Sequence, residues 1–159
     1  MFITKGQLLQ DIMVSLGGRI AEEIIFGDIT TGASSDIKKA TSAARDMVTR
    51  YGMSENIGVI NYNSDDDEVF IGRDLAHAKN HSELISGEID REVKAIIDDC
   101  YKKAKDIILA HMDILHHCAE LLIVKEKIGR EEFEALFDQK ENDPESFFKN
   151  HEIGESAQK

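Results

Sequence analysis

The chain has 159 residues, of which 42% are hydrophobic and 31% charged, a balance typical of one globular domain. Its formal charge is -12, and no cluster of Lys and Arg stands out in the sequence. Because phosphate contacts require clustered cations, we exclude nucleic acid as a partner. No apolar run approaches the ~20 residues of a membrane-spanning helix, so we expect a soluble segment without direct membrane contact.

The first predicted element is a helix from about residue 5 to residue 26. Thr4 and Gln7 have the spacing of a capping box, and Gly27 supplies a C-terminal stop. Apolar residues then recur every four positions, at Leu8, Ile12, Leu16, Ile20 and Ile24. The pair Gly17-Gly18 weakens such a helix by roughly 1 kcal/mol per Gly relative to Ala, which indicates close backbone packing or a kink there.

A polar loop over residues 28–35 leads into a second predicted helix. Ser34 or Ser35 is suited to cap it, and Gly52 is a natural stop. One face of this helix is apolar and rich in alanine, which predicts tight contact with a neighbouring element; its members are Ile37, Ala40, Ala44, Met47 or Val48, and Tyr51.

The pattern changes near residues 57–72. Val59, Ile60 and Tyr62 precede an acidic turn, and a second short β-rich run follows it. Two such runs predict either a β-hairpin or an irregular excursion. No other part of the chain favours strands.

Helical periodicity returns from residue 82 and continues to about 111, with a further helix that Asp113 can cap and a last short one introduced by Gly129. The predicted fold class is therefore all-α, an antiparallel helical bundle over residues 1–138. Residues 139–159 have little periodicity and contain the only proline, Pro144, so we expect a flexible acidic tail. Cys100 and Cys118 fall at positions that a helix would bury, which favours reduced cysteines.

Two histidines have the spacing of a metal site. His77 and His81 lie four residues apart in HAKNH, which would place both imidazoles on one helical face. No Glu occupies the position of a metalloprotease general base, because the second residue is Ala78. We therefore favour a structural role, and an independent metal site, with or without Asp36, is the alternative.

Asp36 is a candidate metal ligand of a different kind. It lies where the second helix begins, and a helix N-terminus favours the ionised carboxylate. In a zinc site built on two histidines of one helix, a third ligand comes from another element. Taken alone, an Asp in a first turn is more often a plain helix starter, and Glu22 and Glu23 read as ordinary surface charges.

The combination of GGRIAEE with TTGASSDI changes this interpretation. Together with EVFIGRDLAHAKNHSE and KEKIGREEFEALF, these motifs resemble the peptidase domain of the FtsH family of membrane-bound, ATP-dependent zinc metalloproteases. The resemblance extends from about Thr4 to Phe137.

The resemblance implies roles for particular residues. Asp36 matches the family's third zinc ligand, and Glu22 matches an acidic residue that supports the ligands without binding the metal. Thr30, Thr31 and Gly32 would shape the loop that positions Asp36. The family's HExxH motif, with two zinc histidines and the catalytic Glu, lies N-terminal to Thr4, so this chain holds no catalytic residue.

The resemblance also implies cofactors and partners for a parent protein. These are zinc, ATP and Mg in an absent ATPase module, protein or peptide substrates, a homo-hexameric ring, and a location on the cytoplasmic side of the cell membrane. Our interpretation is a fragment of such a metalloendopeptidase, inactive alone. The alternative is a naturally truncated adaptor or ring-assembly module without catalysis.

Overall fold

The computed structural model describes residues 1–63 and 82–138. Helices make up 77% of these residues and none lies in a strand, which confirms the all-α fold class. The described helices are α1 (Lys5–Phe26), α2 (Ser34–Thr49), α3 (Glu83–Ala110), α4 (Met112–Lys125) and α5 (Arg130–Asp138), with a 3₁₀ turn at Thr31–Ala33. The antiparallel arrangement of the bundle stays a prediction.

The bounds of α1 agree with the sequence pattern at both ends. The Thr4 hydroxyl accepts from the backbone N–H of Gln7 at 3.2 Å, and the Gln7 side chain accepts from the backbone N–H of Thr4 at 2.9 Å. Gly27 ends the helix in the left-handed region, with φ +62°, and donates its N–H to the carbonyl of Glu23. The predicted capping box and glycine stop are therefore confirmed.

The chain divides into two compact units, Met1–Ile108 and Leu109–Lys159. In the first unit, α1, α2 and α3 contribute side chains to one buried apolar cluster. Ala40 and Ala44 of α2 are almost fully buried, which confirms the tight contact that the alanine-rich face predicts. The larger members of the cluster are Ile12, Leu16, Ile20, Met47, Val48, Ile57, Ile89, Val93 and Cys100.

The second unit contains α4 and α5 in its described part. Ile114, Leu121 and Leu136 are its buried apolar side chains, and the rings of Phe133 and Phe137 meet edge to face. Asp113 lies in the first turn of α4 and does not cap it, because His111 occupies the cap position without a side-chain hydrogen bond there. Both Cys100 and Cys118 are free, the first buried and the second half-buried.

The predicted β-hairpin is not found in the part of residues 57–72 that the structure describes, which ends at residue 63. These residues have no regular structure, and Val59 and Ile60 are exposed. The backbone N–H of Tyr62 donates to the carbonyl of Thr49 at 2.7 Å. This N–H is therefore bonded to the end of α2 and not to a second strand. The remaining hairpin residues lie outside the described ranges, as do His77, His81 and the predicted tail.

No single helix within the described ranges is long and apolar enough to cross a membrane. The consecutive helices α3 and α4 meet the length and composition criteria only when taken together across the break between them.

Candidate metal site

The loop between α1 and α2 is held by hydrogen bonds from its own residues. Asp28 Oδ1 accepts from the N–H of Ile29 at 2.8 Å, and Thr30 Oγ1 accepts from the N–H of Gly32 at 3.2 Å. In addition, Arg19 Nη1 on α1 donates to the Thr30 carbonyl at 3.4 Å. The position of Thr30 is therefore tied both to the loop and to the preceding helix.

The start of α2 differs from the predicted serine cap. The 3₁₀ turn leads directly into the α-helix, so Ala33 takes the cap position and makes no side-chain hydrogen bond. Ser34 is already helical and donates its N–H to the Thr31 carbonyl. The hydroxyl that caps this region belongs to Thr30, at the start of the 3₁₀ turn.

Asp36 lies in the first turn of α2, as expected, and its side chain is 45% exposed. Its nearest cation is Lys39 Nζ, at 3.8 Å from Oδ1, on a side chain that is 72% exposed. An exposed ion pair at this distance contributes little to the stability of the fold. The Asp36 carboxylate therefore remains accessible to a cation.

Glu22 and Glu23 are adjacent in sequence but differ in their surroundings. Glu23 accepts a hydrogen bond from the Tyr101 hydroxyl, which raises the pKa of that tyrosine, and it lies 3.9 Å from Lys105 Nζ. By contrast, Glu22 Oε1 is buried and has no hydrogen-bond partner among the described residues. A buried carboxylate oxygen without a partner is costly, so Glu22 is suited to accept from a group that these residues do not supply.

The described residues do not assemble a complete metal site. Over residues 1–63 and 82–138, no group of three or more His, Cys, Asp or Glu side chains is arranged to hold an ion. A zinc ion bound by Asp36 would therefore need ligands from elsewhere. The donor chemistry of Asp36 and the unpartnered oxygen of Glu22 nevertheless fit the edge of such a site.

One polar cluster, built around the buried Ser54, was not anticipated from the sequence. Glu92 on α3 accepts from Ser54 Oγ at 2.8 Å and from Asn56 Nδ2 at 2.6 Å. These two hydrogen bonds hold the pKa of Glu92 below its ordinary value. Glu92 lies 38 residues after Ser54 and 36 after Asn56, so no local pattern could have revealed the cluster.

Comparison with known proteins points to one family. The chain matches the profile of peptidase family M41 over residues 1–136. It is 49% identical over 135 residues to the ATP-dependent zinc metalloprotease FtsH of Caldicellulosiruptor bescii, and equally so to the protein of that name from Ruminiclostridium cellulolyticum. The Thermotoga maritima FtsH is 40% identical over 134 residues.

These alignments cover 84–85% of this chain but only 22% of each relative. The chain thus spans about a fifth of the length of the curated relatives that it matches. Since the family profile covers nearly all of the described residues, the chain belongs to peptidase family M41.

Proposed function

We propose that this chain is the C-terminal part of the peptidase domain of an ATP-dependent zinc metalloendopeptidase, and that it supplies the third zinc ligand, Asp36. The observation that carries the proposal is the accessible Asp36 carboxylate in the first turn of α2, within a chain that matches the family over residues 1–136. The names of the relatives, which include zinc and ATP dependence, support the wider assignment.

In this proposal Asp36 binds the metal and moves no proton. A carboxylate binds a metal ion in its deprotonated form. When bound, zinc supplies Lewis-acid chemistry for peptide hydrolysis, since it polarises a carbonyl and acidifies water. The general base and the two remaining protein ligands would come from an HExxH segment of a longer protein.

The neighbouring residues would position that carboxylate. Thr30, Thr31 and Gly32 form the turn that leads into α2, and Arg19 fixes the Thr30 carbonyl. Glu22 Oε1 would accept a hydrogen bond from a ligand side chain and so orient it. The chain by itself would be inactive, because the described residues offer no complete ligand set.

The remaining features of the proposal concern the longer protein. An ATPase module would bind ATP and Mg, proteins or peptides would be the substrates, and six copies would form a ring on the cytoplasmic side of a membrane. The family resemblance supports these features. This segment would contribute helical surface to the ring and no membrane contact of its own.

The test uses a longer protein in which the HExxH-containing segment of the Caldicellulosiruptor bescii relative is joined in front of Thr4. We expect this protein to bind one zinc per chain and to cleave an unstructured protein such as casein. Asp36→Asn should abolish both properties, because an amide is a poor zinc ligand. Glu22→Gln should weaken zinc binding by about 10–100-fold.

Asp28→Asn is the matched control, since it makes the same change at an exposed residue of the loop that precedes α2. It should leave zinc content and cleavage unchanged. Full zinc content and activity in the Asp36→Asn protein would contradict the ligand assignment.

A further inference from the structure

Arg19 on α1 has several acceptors within reach. Glu22 and Glu23 lie three and four residues further along the same helix, the spacings at which a guanidinium and a carboxylate can pair. Within the part of the chain that the structure describes, Arg19 pairs with neither of them, and its Nη1 donates to the Thr30 carbonyl at 3.4 Å. A charged donor beside two carboxylates thus binds a neutral oxygen.

Glu23 is held by two residues of α3. Its Oε2 accepts from the Tyr101 hydroxyl, and its Oε1 lies 3.9 Å from Lys105 Nζ. Tyr101 and Lys105 are one turn apart on α3, and the Lys105 ammonium also lies 5.9 Å from the centre of the Tyr101 ring. Both carboxylate oxygens of Glu23 therefore have partners from α3, which leaves the guanidinium of Arg19 to another acceptor.

The four side chains lie close enough to influence one another. All of them are half-buried, so solvent screens their charges less than it would at a fully exposed site. The hydrogen bond to Glu23, burial and the charge of Glu23 raise the pKa of Tyr101, whereas the guanidinium of Arg19 opposes that shift. The charge of Arg19 is therefore near the hydroxyl that holds Glu23.

From these contacts we infer that Tyr101 is a positioning residue for the candidate metal site. It holds Glu23, and so leaves Arg19 to bind the loop that precedes α2. The Thr30 carbonyl belongs to the residue that caps the 3₁₀ turn, and that turn leads directly into the first turn of α2, where Asp36 lies. The link from this loop to zinc rests on the proposed function.

The inference depends on a competition between two acceptors. Without the Tyr101 hydroxyl, Glu23 Oε2 would lack a donor, and Arg19 is a cation one turn away on the same helix. A charge-assisted hydrogen bond to a carboxylate is stronger than one to a neutral carbonyl, so Arg19 would leave Thr30. A neutral amide at position 23 would remove this attraction, and the loop would keep its bond.

The first measurement is made on the chain without metal. NMR relaxation gives order parameters for the backbone amides of residues 30–33 in wild type, Tyr101→Phe, Glu23→Gln and the double variant. All samples contain EDTA, and circular dichroism first confirms that each variant is folded. Tyr51→Phe is the matched control, since it removes the hydroxyl of an exposed tyrosine.

Tyr101→Phe should lower these order parameters from about 0.85 towards about 0.6, because the loop loses Arg19. Tyr51→Phe and Glu23→Gln alone should leave them unchanged, and the double variant should return to the wild-type values. A role in packing alone gives no such recovery, since the second substitution would then only remove another contact. Unchanged order in Tyr101→Phe, or no recovery in the double variant, would overturn the inference.

The second measurement is the zinc affinity of the longer protein with the Caldicellulosiruptor bescii segment, by competition with a chromogenic chelator. Tyr101→Phe should weaken zinc binding by about 3–10-fold, the effect of one lost hydrogen bond, and the double variant should restore it. Reduced loop order with unchanged zinc affinity would overturn the role of Tyr101 at the metal site. Asp36→Asn in the same protein tests the ligand assignment separately, so the two proposals can fail independently.

Discussion

In the first unit, the segments that follow α1 and α2 each contain a glycine in the left-handed region, but they are held in different ways. Gly27 follows α1 with φ +62°, and a Cβ there would meet open space. Gly52 follows α2 with φ +59°, and a Cβ there would lie 2.9 Å from Val59 Cα. The first glycine only turns the chain, whereas the second also allows two backbone segments to touch.

The same contrast extends through both segments. Residues 27–33 are held by hydrogen bonds between near neighbours, such as Thr30 Oγ1 with Gly32 N–H, and by one bond from Arg19 on α1 to the Thr30 carbonyl. Residues 50–63 depend on distant partners, with Tyr62 bound to Thr49 and Ser54 to Glu92. The loop that precedes Asp36 is therefore held by its own residues and by the adjacent helix α1, while the segment after α2 is also held by α3, which is distant in sequence.

The largest expected effect comes from Gly52→Ala. We expect it to lower the free energy of unfolding by about 3 kcal/mol, because it adds a backbone clash to the left-handed strain. Gly27→Ala should cost only about 1 kcal/mol, since it adds the strain alone. Urea denaturation of both variants measures the difference, and equal costs would mean that the two segments are held alike.

Glu92→Ala should have the next largest effect. It removes the acceptor for Ser54, whose side chain is buried, and for Asn56. Loss of these hydrogen bonds to a carboxylate should lower the free energy of unfolding by about 1.5 kcal/mol. Glu120→Ala, at an exposed position of α4, should change it by less than about 0.5 kcal/mol. If the two substitutions had similar effects, the hydrogen bonds of Glu92 to Ser54 and Asn56 would not stabilise the fold.

The pH dependence of stability gives a finer test of the same cluster. The hydrogen bonds from Asn56 and Ser54 lower the pKa of Glu92 in the folded protein below its ordinary value of 4.5. Its stabilising contribution is therefore complete above that value and is lost as the pH falls through the folded-state pKa. The stability difference between wild type and Glu92→Gln should shrink over that acidic window. The double variant Ser54→Ala, Asn56→Ala should show a weaker pH dependence than wild type, and an unchanged profile would contradict this origin.

The smallest effect is expected from Thr30→Val in the locally held loop. The substitution keeps the shape of the side chain but removes the acceptor for the Gly32 N–H. Since the site is exposed, the free energy of unfolding should fall by about 0.5–1 kcal/mol. Thermal unfolding measures this, with Thr41→Val on the exposed face of α2 as a comparison. A loss as large as that of Gly52→Ala would show that the loop depends on more than its own bonds.

Local signals in the sequence predict much of this fold. Thr4, Gln7 and Gly27 define both ends of α1, and Gly129 marks the start of α5, because caps and stops act over one turn. The same local reasoning fails at α2, where either of two serines could cap. There Thr30 caps a 3₁₀ turn first, and the α-helix begins without a side-chain cap of its own.

Long-range features are beyond such reasoning. Val59 and Ile60 have strand-forming side chains, but strand formation needs a partner, and their segment is tied to α2 and α3. At the candidate site, spacing alone does not distinguish Asp36 from an ordinary helix starter; its proposed role depends on the family motif. The unpartnered oxygen of Glu22 is visible only once the side chains around it are placed.

The capping box at the start of α1 has a practical consequence for joining protein segments. Because the side chains of Thr4 and Gln7 accept from each other's backbone N–H groups, these two donors require no hydrogen bond from residues further upstream. Thr4 is therefore a suitable junction, because we expect that new sequence can be attached before it without loss of the helix that follows. Hydrogen exchange of the two backbone amides at this junction, those of Thr4 and Gln7, would report whether the capping box stays formed after such a fusion.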